Sequence, residues 1–223
     1  MQGGIPVHKM STKTPIVIWG AGGHATVVTE ILEMSGRWSI VGYLDPGRWG
    51  TTFDGYPILG GREALQGLGE HGIKHIALAL GDNRARKRAG ETAQEARLEC
   101  VTAIHPHAYV SPNGAIGQGV VCAAGRVVGP ATSISDGAIV NTRAIIDHCC
   151  SIGSYAHVSP GVSLAGEVHS WRRRMDRTWA AAILDKRRSG EWTIIDAGAV
   201  VTRDIPDGVV AFGVPATIRR DNT

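Results

Sequence analysis

Aromatic side chains are scarce: they make up 5% of the 223 residues and include only two Phe. A Phe-rich core is thereby excluded, and the 43% of hydrophobic residues must pack largely as small aliphatics. A dominant charge is missing too. Lys and Arg number 23 against 20 Asp and Glu, and the scattered surplus of +3 is too small for a nucleic-acid partner. No apolar run reaches the ~18 residues of a spanning helix, so no membrane span is expected. The four Cys (Cys100, Cys122, Cys149, Cys150) show no C-x-x-C spacing. Free thiols in a reducing cytoplasm are the simplest reading. Residues 1–14, MQGGIPVHKMSTKT, lack the apolar centre of a signal peptide and read as a flexible leader.

Glycine, by contrast, is abundant, at 30 residues. Residues 15–104 alternate between short apolar runs and helical stretches. Ile16–Trp19, Ser39–Leu44, Tyr56–Leu59 and His75–Leu80 read as strands, and Thr26–Met34 and Arg84–Arg97 as helices. This alternation predicts an α/β domain with a small doubly wound parallel sheet. After the first strand, Gly20-Ala21-Gly22-Gly23-His24-Ala25 approximates G-x-G-x-x-A. Such glycines let the backbone turn sharply toward a phosphate, which the next helix meets with free N–H groups and a positive dipole end. Asp45 lies near the spacing of a ribose-binding acid. Asn83, in Gly81-Asp82-Asn83, ends a later strand at the edge where ligands sit in such sheets. The plain alternative is a tight strand–helix turn with no ligand. A nicotinamide dehydrogenase would need a further catalytic domain that the chain does not supply, so a nucleotide or nucleotide-sugar is the favoured ligand.

From residue 110 the chain has a period of six. Val110, Ile116, Cys122, Val128, Ile134, Val140, Ile146, Ile152, Val158 and Leu164 follow one another without interruption. Small residues commonly precede them and Gly or polar residues commonly follow. This predicts a parallel β-helix over residues 105–223, in which three hexapeptides complete a triangular coil and each aliphatic points into the prism. Strands of a sandwich would show period two and irregular loops instead.

Together the two halves resemble the hexapeptide acyltransferases that acetylate sugars. Most similar are the N-acetyltransferases acting on nucleotide-linked amino sugars (the bacillosamine and perosamine enzymes) and the sialic acid O-acetyltransferases. The motifs are Gly20-Ala-Gly-Gly-His-Ala25, Gly81-Asp-Asn83, Asn141-Thr142, Asp147-His148, His157-Val-Ser-Pro-Gly161, Leu164-Ala-Gly166, Ala197-Gly-Ala-Val-Val201 and Gly213-Val-Pro-Ala216. The resemblance implies a left-handed β-helix, acetyl-CoA as co-substrate without a metal, and a homotrimer with active sites between subunits. It implies His148 as general base, His157 in contact with acetyl-CoA, and Gly166, Ala197 and Gly198 along the coenzyme groove. It also implies Gly22, Gly23 and His24 in the nucleotide loop and Asp45 on the nucleoside.

The chemistry suits those residues. A sugar ammonium must lose a proton to attack a thioester, and histidine, with an ordinary pKa of ~6.5, accepts one near neutral pH. His148 and His157 are nine residues apart, half of an eighteen-residue coil, and so belong to different faces of one chain. Both can serve one site only if subunits pack side by side. The bland alternative for His148 is a polar turn residue. His105 and His107, flanking a Pro at the domain junction, look structural. The family usually has an acid after the base; here Cys149 stands there, and Asp147 on the other side should point away along an extended strand. Three other readings compete: O-acetylation of a sialic-acid-like sugar, a binding or scaffold paralogue that keeps the fold without the chemistry, and a zinc coil hydrating carbon dioxide through His148, His157 and His169. The N-terminal domain has no role in the last.

The period fails after Val168 and is expected to return at Ile194 and Val200. Residues 170–182 read either as an inserted, cationic loop or as a local frame slip. Shifted by one base, codons permitted for Trp171–Trp179 can spell Gly-Glu-Asp-Ala-Trp-Ile-Gly-Leu-Gly, a regular repeat.

Overall fold

The computed structural model describes residues 13–170 and 179–222. In the N-terminal domain, β1 (Thr14–Trp19) carries β-branched Ile16, Val17 and Ile18, all wholly buried. Burial on both faces is the mark of a central strand in a parallel sheet. There follow α1 (Gly23–Met34), β2 (Trp38–Leu44), β3 (Thr52–Phe53), β4 (Tyr56–Gly60), α2 (Leu65–Leu68), β5 (His75–Leu78), α3 (Asn83–Glu95) and β6 (Glu99–Cys100). Strand order is β3-β4-β2-β1-β5-β6, parallel except for the β3–β4 hairpin. The chain winds outward from β1 on one side and returns through β5 on the other. The crevice at the carboxyl ends of β1 and β5 is thus the switch point where ligands bind such sheets.

The coil begins at Ala103–Ile104, two residues before the expected boundary, because these pair with Val121–Cys122. Two-residue strands then recur every six residues, and their parallel registers step by eighteen, as in Val121↔Ile139 and Ile139↔His157. They form three faces. The first holds strands starting at residues 103, 121, 139 and 157, the second those at 109, 127, 145 and 163, and the third those at 115, 133, 151 and 169. The second residue of each strand points inward, so the period-six aliphatics build the prism core from Cys122 to Leu164. Turn residues Gly119, Gly125, Ala131, Gly137, Arg143, Cys149, Tyr155, Gly161 and Glu167, again six apart, all have φ between 55° and 71°.

Each face has a different neighbour. The first is covered by the N-terminal domain: Ala103, Val121 and Ile139 share one buried cluster with Ile16, Ile18, Ala25 and Val28. Truncating a side chain such as Ile139 to Ala there costs about 2–5 kcal/mol. The second presents a ladder of exposed apolar side chains, Tyr109 (57% exposed), Val127 (39%) and Ile145 (45%). The third presents Ala115, Ser133, Ser151 and His169.

Beyond Ser170 the phase changes. Ile183 pairs beside Leu164 and Ser189 beside Ser170, nineteen residues on rather than eighteen. The inward positions are therefore Ile183, Ser189, Ile195 and Val201, all buried. The expectation of Ile194 and Val200 is corrected: one extra residue enters this coil, and every later inward position moves by one. The two readings of residues 170–182 fall largely outside the described residues. The chain closes with parallel pairing of Ile194–Val201 to Val209–Phe212 and an antiparallel strand, Thr217–Asp221. Among the described residues, no helix is long and apolar enough to cross a membrane.

Candidate active site

The glycine-rich turn lies at the switch point. Gly20 has φ 107°, and a Cβ there would meet the Ala79 carbonyl oxygen at 2.8 Å, so only glycine fits. Gly22 is the N-cap of α1 and brings no side-chain cap, which leaves the first N–H groups of the helix open. A Cβ at Gly22 or Gly23 would meet nothing within 4 Å, so both glycines face open space. Asp45, at the end of β2, reaches back to this turn. Its carboxylate accepts from the Ala21 N–H at 3.2 Å and the Gly47 N–H at 3.0 Å. Trp49, 74% exposed, follows on the same loop.

His24 turns away from the glycines toward the coil. Its ring centroid lies 6.4 Å from that of His157, and its Nε2 is buried without a hydrogen-bond partner. His157 is on the first face, and its Nε2 is 3.1 Å from the Asn141 amide nitrogen. The Asn141 oxygen already accepts from the Thr142 N–H at 2.8 Å, so its NH₂ must donate to the ring. That assigns the His157 proton to Nδ1. Both imidazoles resist protonation. Burial, helped by the Arg86 guanidinium, lowers the His24 pKa to about 4. For His157 burial again leads, followed by Arg86 and His24, against a backbone hydrogen bond at Gly81, and the pKa also falls to about 4. Two polar groups so held can receive or offer hydrogen bonds, but they do not carry charge near neutral pH.

His148 stands apart. It lies in the turn between the second and third faces and is exposed. Its ring lies across Gly166 of the next coil: a Cβ on Gly166 would stand 2.6 Å from His148 Nε2. Asp147 is in the same turn rather than on an extended strand, and its carboxylate accepts from the backbone N–H of His148 at 2.7 Å. It thus gives the ring no support, for a reason other than strand alternation. Cys149 is exposed at a left-handed turn position, φ 57°.

Ala197 and Gly198 form an exposed bend in the strand Ile194–Val201, where the Asp196 carboxylate accepts from the Ala197 N–H at 2.8 Å. By register this bend shares the corner of Asn141, between the first and second faces. Gly166 shares the other corner with His148. In one chain, therefore, the residues expected along one coenzyme groove flank opposite edges of the apolar second face.

The fold brings together His24 with His157, Asp45 with the glycine turn, and His148 with Gly166. It does not bring His148 to His157. Asn83, expected at the substrate, is 1% exposed, and its amide oxygen accepts from Arg86 at 2.7 Å. Among the described residues, no group of three His, Cys, Asp or Glu that could hold a metal ion is present. Arg86 itself escaped sequence reading. The available signal was helical: Arg86, Ala89, Gly90 and Ala93 form the buried stripe of α3.

Comparison with known proteins agrees with this geometry. Residues 15–93 match the family model described as the PglD N-terminal domain. The structure superposes on PerB from Caulobacter crescentus, in complex with CoA and GDP-perosamine, with a TM-score of 0.85 at 38% identity over 92% of this chain and 97% of that one. The acetyltransferase domain of PglB from Neisseria gonorrhoeae, in complex with acetyl coenzyme A, gives 0.85 at 35% identity over 93% and 100%. Among curated relatives, GDP-perosamine N-acetyltransferase of Escherichia coli O157:H7 is 25% identical over 157 residues, 68% of this chain and 70% of that protein. Galactoside O-acetyltransferase of Lactococcus lactis is 37% identical over 67 residues, and the chain spans only 32% of that protein. An α/β domain docked on a hexapeptide coil is thus the architecture of a two-domain acetyltransferase. The chain belongs to the sugar N-acetyltransferase family.

Proposed function

We propose that the protein transfers the acetyl group of acetyl-CoA to the amino group of a nucleotide-linked amino sugar, with His148 as general base. The observation that carries this is an exposed imidazole seated on a glycine at a coil corner, beside an uncovered apolar face. The amine nitrogen attacks the thioester carbonyl, a C–N bond forms and the C–S bond breaks. The proton lost by the amine passes to His148 and then to the departing CoA sulfur. General-base help of this kind is worth ~10²–10⁴ in rate. Holding donor and acceptor in one groove supplies several kcal/mol more. No covalent enzyme intermediate is needed, so Cys149 and Cys150 have no nucleophilic role.

The nucleotide lies over the open N–H groups at Gly22 and Gly23, with Asp45 at the nucleoside and Trp49 beside it. The sugar extends toward His24 and Asn141, and His157 meets acetyl-CoA beside it. His148 of the same chain is at another corner, so the site is completed by a second copy. The second face, with Tyr109, Val127 and Ile145, is the surface that copies share in a trimer. Its two edges carry Asn141 and Ala197–Gly198 on one side and His148 and Gly166 on the other. Packing on it therefore joins the acceptor cleft of one copy to the base of the next. The four cysteines are free, which fits a reducing cytoplasm.

The test is thiol release from acetyl-CoA, scanned over UDP-, GDP- and dTDP-linked amino sugars and their hydroxyl analogues. Turnover with an amino sugar and a sedimenting species of three chains are expected. Turnover confined to hydroxyl acceptors would make the enzyme an O-acetyltransferase, and silence with every acceptor would leave a binding protein.

A further inference from the structure

Two arginines are wholly buried among the described residues, and they differ sharply in their surroundings. Arg126, inside the prism, donates from Nη1 to Ala123 and Val140 carbonyls at 3.0 and 3.4 Å, while its Nε and Nη2 have no partner. Arg86 is placed instead between the domains, and all three of its nitrogens are engaged. Toward its own domain it donates from Nη1 to the Leu80 carbonyl at 2.7 Å and the Gly81 carbonyl at 3.3 Å, and from Nη2 to Asn83 Oδ1 at 2.7 Å. Toward the coil it donates from Nε to the Gly137 carbonyl at 2.7 Å, and from Nη2 to those of Tyr155 and Ala156 at 2.8 and 3.4 Å.

The acceptors matter as much as their number. Leu80 and Gly81 lie in the loop at the carboxyl end of β5, and Asn83 opens α3, at the switch point. Tyr155 and Ala156 lead directly into the strand His157–Val158. One rigid planar fork therefore holds the loop beside the glycine turn and the backbone that aims His157. Most of these acceptors are main-chain carbonyls, which have no rotamer freedom to follow a displaced donor. The packing beside the fork is close as well: a Cβ on Gly90 of α3 or on Gly137 of the coil would run into the Tyr155 ring.

We propose that Arg86 is a positioning residue of the acceptor cleft, tying the β5 loop to the coil and so setting the separation of the His24 and His157 imidazoles. The inference rests on the cleft being the acceptor site as proposed above. A lysine could keep the charge but not the fork. The effect is therefore assigned to geometry, although Arg86 is also the charged side chain that acts on both rings.

The experiment uses full-length Arg86→Met and Arg86→Lys with two readouts. The first is NMR titration of the histidine ring protons without any ligand. In the wild type, His24 and His157 stay unprotonated until about pH 4. In both variants the cleft loosens and both rings are expected to titrate nearer the ordinary ~6.5. The second is steady-state kinetics. The KM for the nucleotide-sugar is expected to rise at least about tenfold, the loss of one or two hydrogen bonds to a charged group. If Arg86→Met fails to fold, Arg86→Lys decides alone. An Arg86→Lys protein with both rings still unprotonated and an unaltered KM would overturn the proposal. Should no nucleotide amino sugar be a substrate, the reaction reading falls, and the ring titration still decides the role of Arg86.

Discussion

His148 and His157 belong to one coil and are nine residues apart, yet the structure treats them in opposite ways. His157 is on a strand under the N-terminal domain, takes a hydrogen bond from Asn141, and is held neutral. His148 is on a turn, exposed, with its ring on Gly166 and no side chain hydrogen-bonded to that ring among the described residues. The first arrangement suits a group that orients a neutral polar ligand and must not charge. The second suits a group that exchanges protons and meets a second molecule. A repeat that provides equivalent backbone positions every six residues thus yields different chemistry according to what covers each position.

The largest expected effect separates the two directly. His148→Ala should lower kcat by ~10²–10⁴ with the fold retained, the usual worth of a general base. His157→Ala should act mainly on the KM for acetyl-CoA. Steady-state kinetics on both variants checks this, and an exchange of the two patterns would break the contrast. Gly166→Ala comes next. Its methyl group displaces the His148 ring, and a misplacement of about 1 Å can lower the rate ~10²-fold. In a His148→Ala background the same change should do almost nothing further. An additive loss would show that Gly166 serves the coenzyme alone.

The pH dependence is a smaller effect with a definite sign. His24 and His157 have folded pKa values of about 4, below the ordinary 6.5. Between those values the unfolded chain binds more protons than the folded one. Stability is therefore fully present above about pH 6.5 and falls as the pH drops toward 4. Urea midpoints at pH 7 and pH 4.5 measure it, and a His24→Gln, His157→Gln double variant should lose much of the slope. The smallest expected effect is at position 149. Cys149→Asp places an acid beside the base, at a left-handed position that Asp tolerates, and should raise kcat modestly. An unchanged or lower rate would show that an acid there does not reach the ring.

Much of the architecture was legible in advance. The period of six reports an inward row directly, because every sixth residue meets the same interior, and all ten named positions from Val110 to Leu164 are the second residues of coil strands. The strands of the N-terminal domain were legible as short apolar runs, and its turn as a cluster of glycines. Helix limits were less so: α1 begins at Gly23 rather than Thr26, since glycines give no helical pattern to read. The phase beyond Ser170 differs by one residue from the expected Ile194 and Val200, because one extra residue between regular coils leaves no mark on composition. His148 is a candidate from the sequence alone, whereas its seat on Gly166 became visible only as a close approach of two coils.

The sequence by itself determined a triangular coil, a nucleotide-type sheet ahead of it, and a short roster of residues able to do chemistry, since burial patterns repeat along the chain and turn glycines mark special backbone. Only the tertiary structure decided which of those residues meet. His24 joins His157, far apart in sequence, because the first coil face docks under α1, and Arg86 locks that docking. Such contacts depend on the relative placement of two independently patterned surfaces, and no local periodicity records where one surface will come to rest on another.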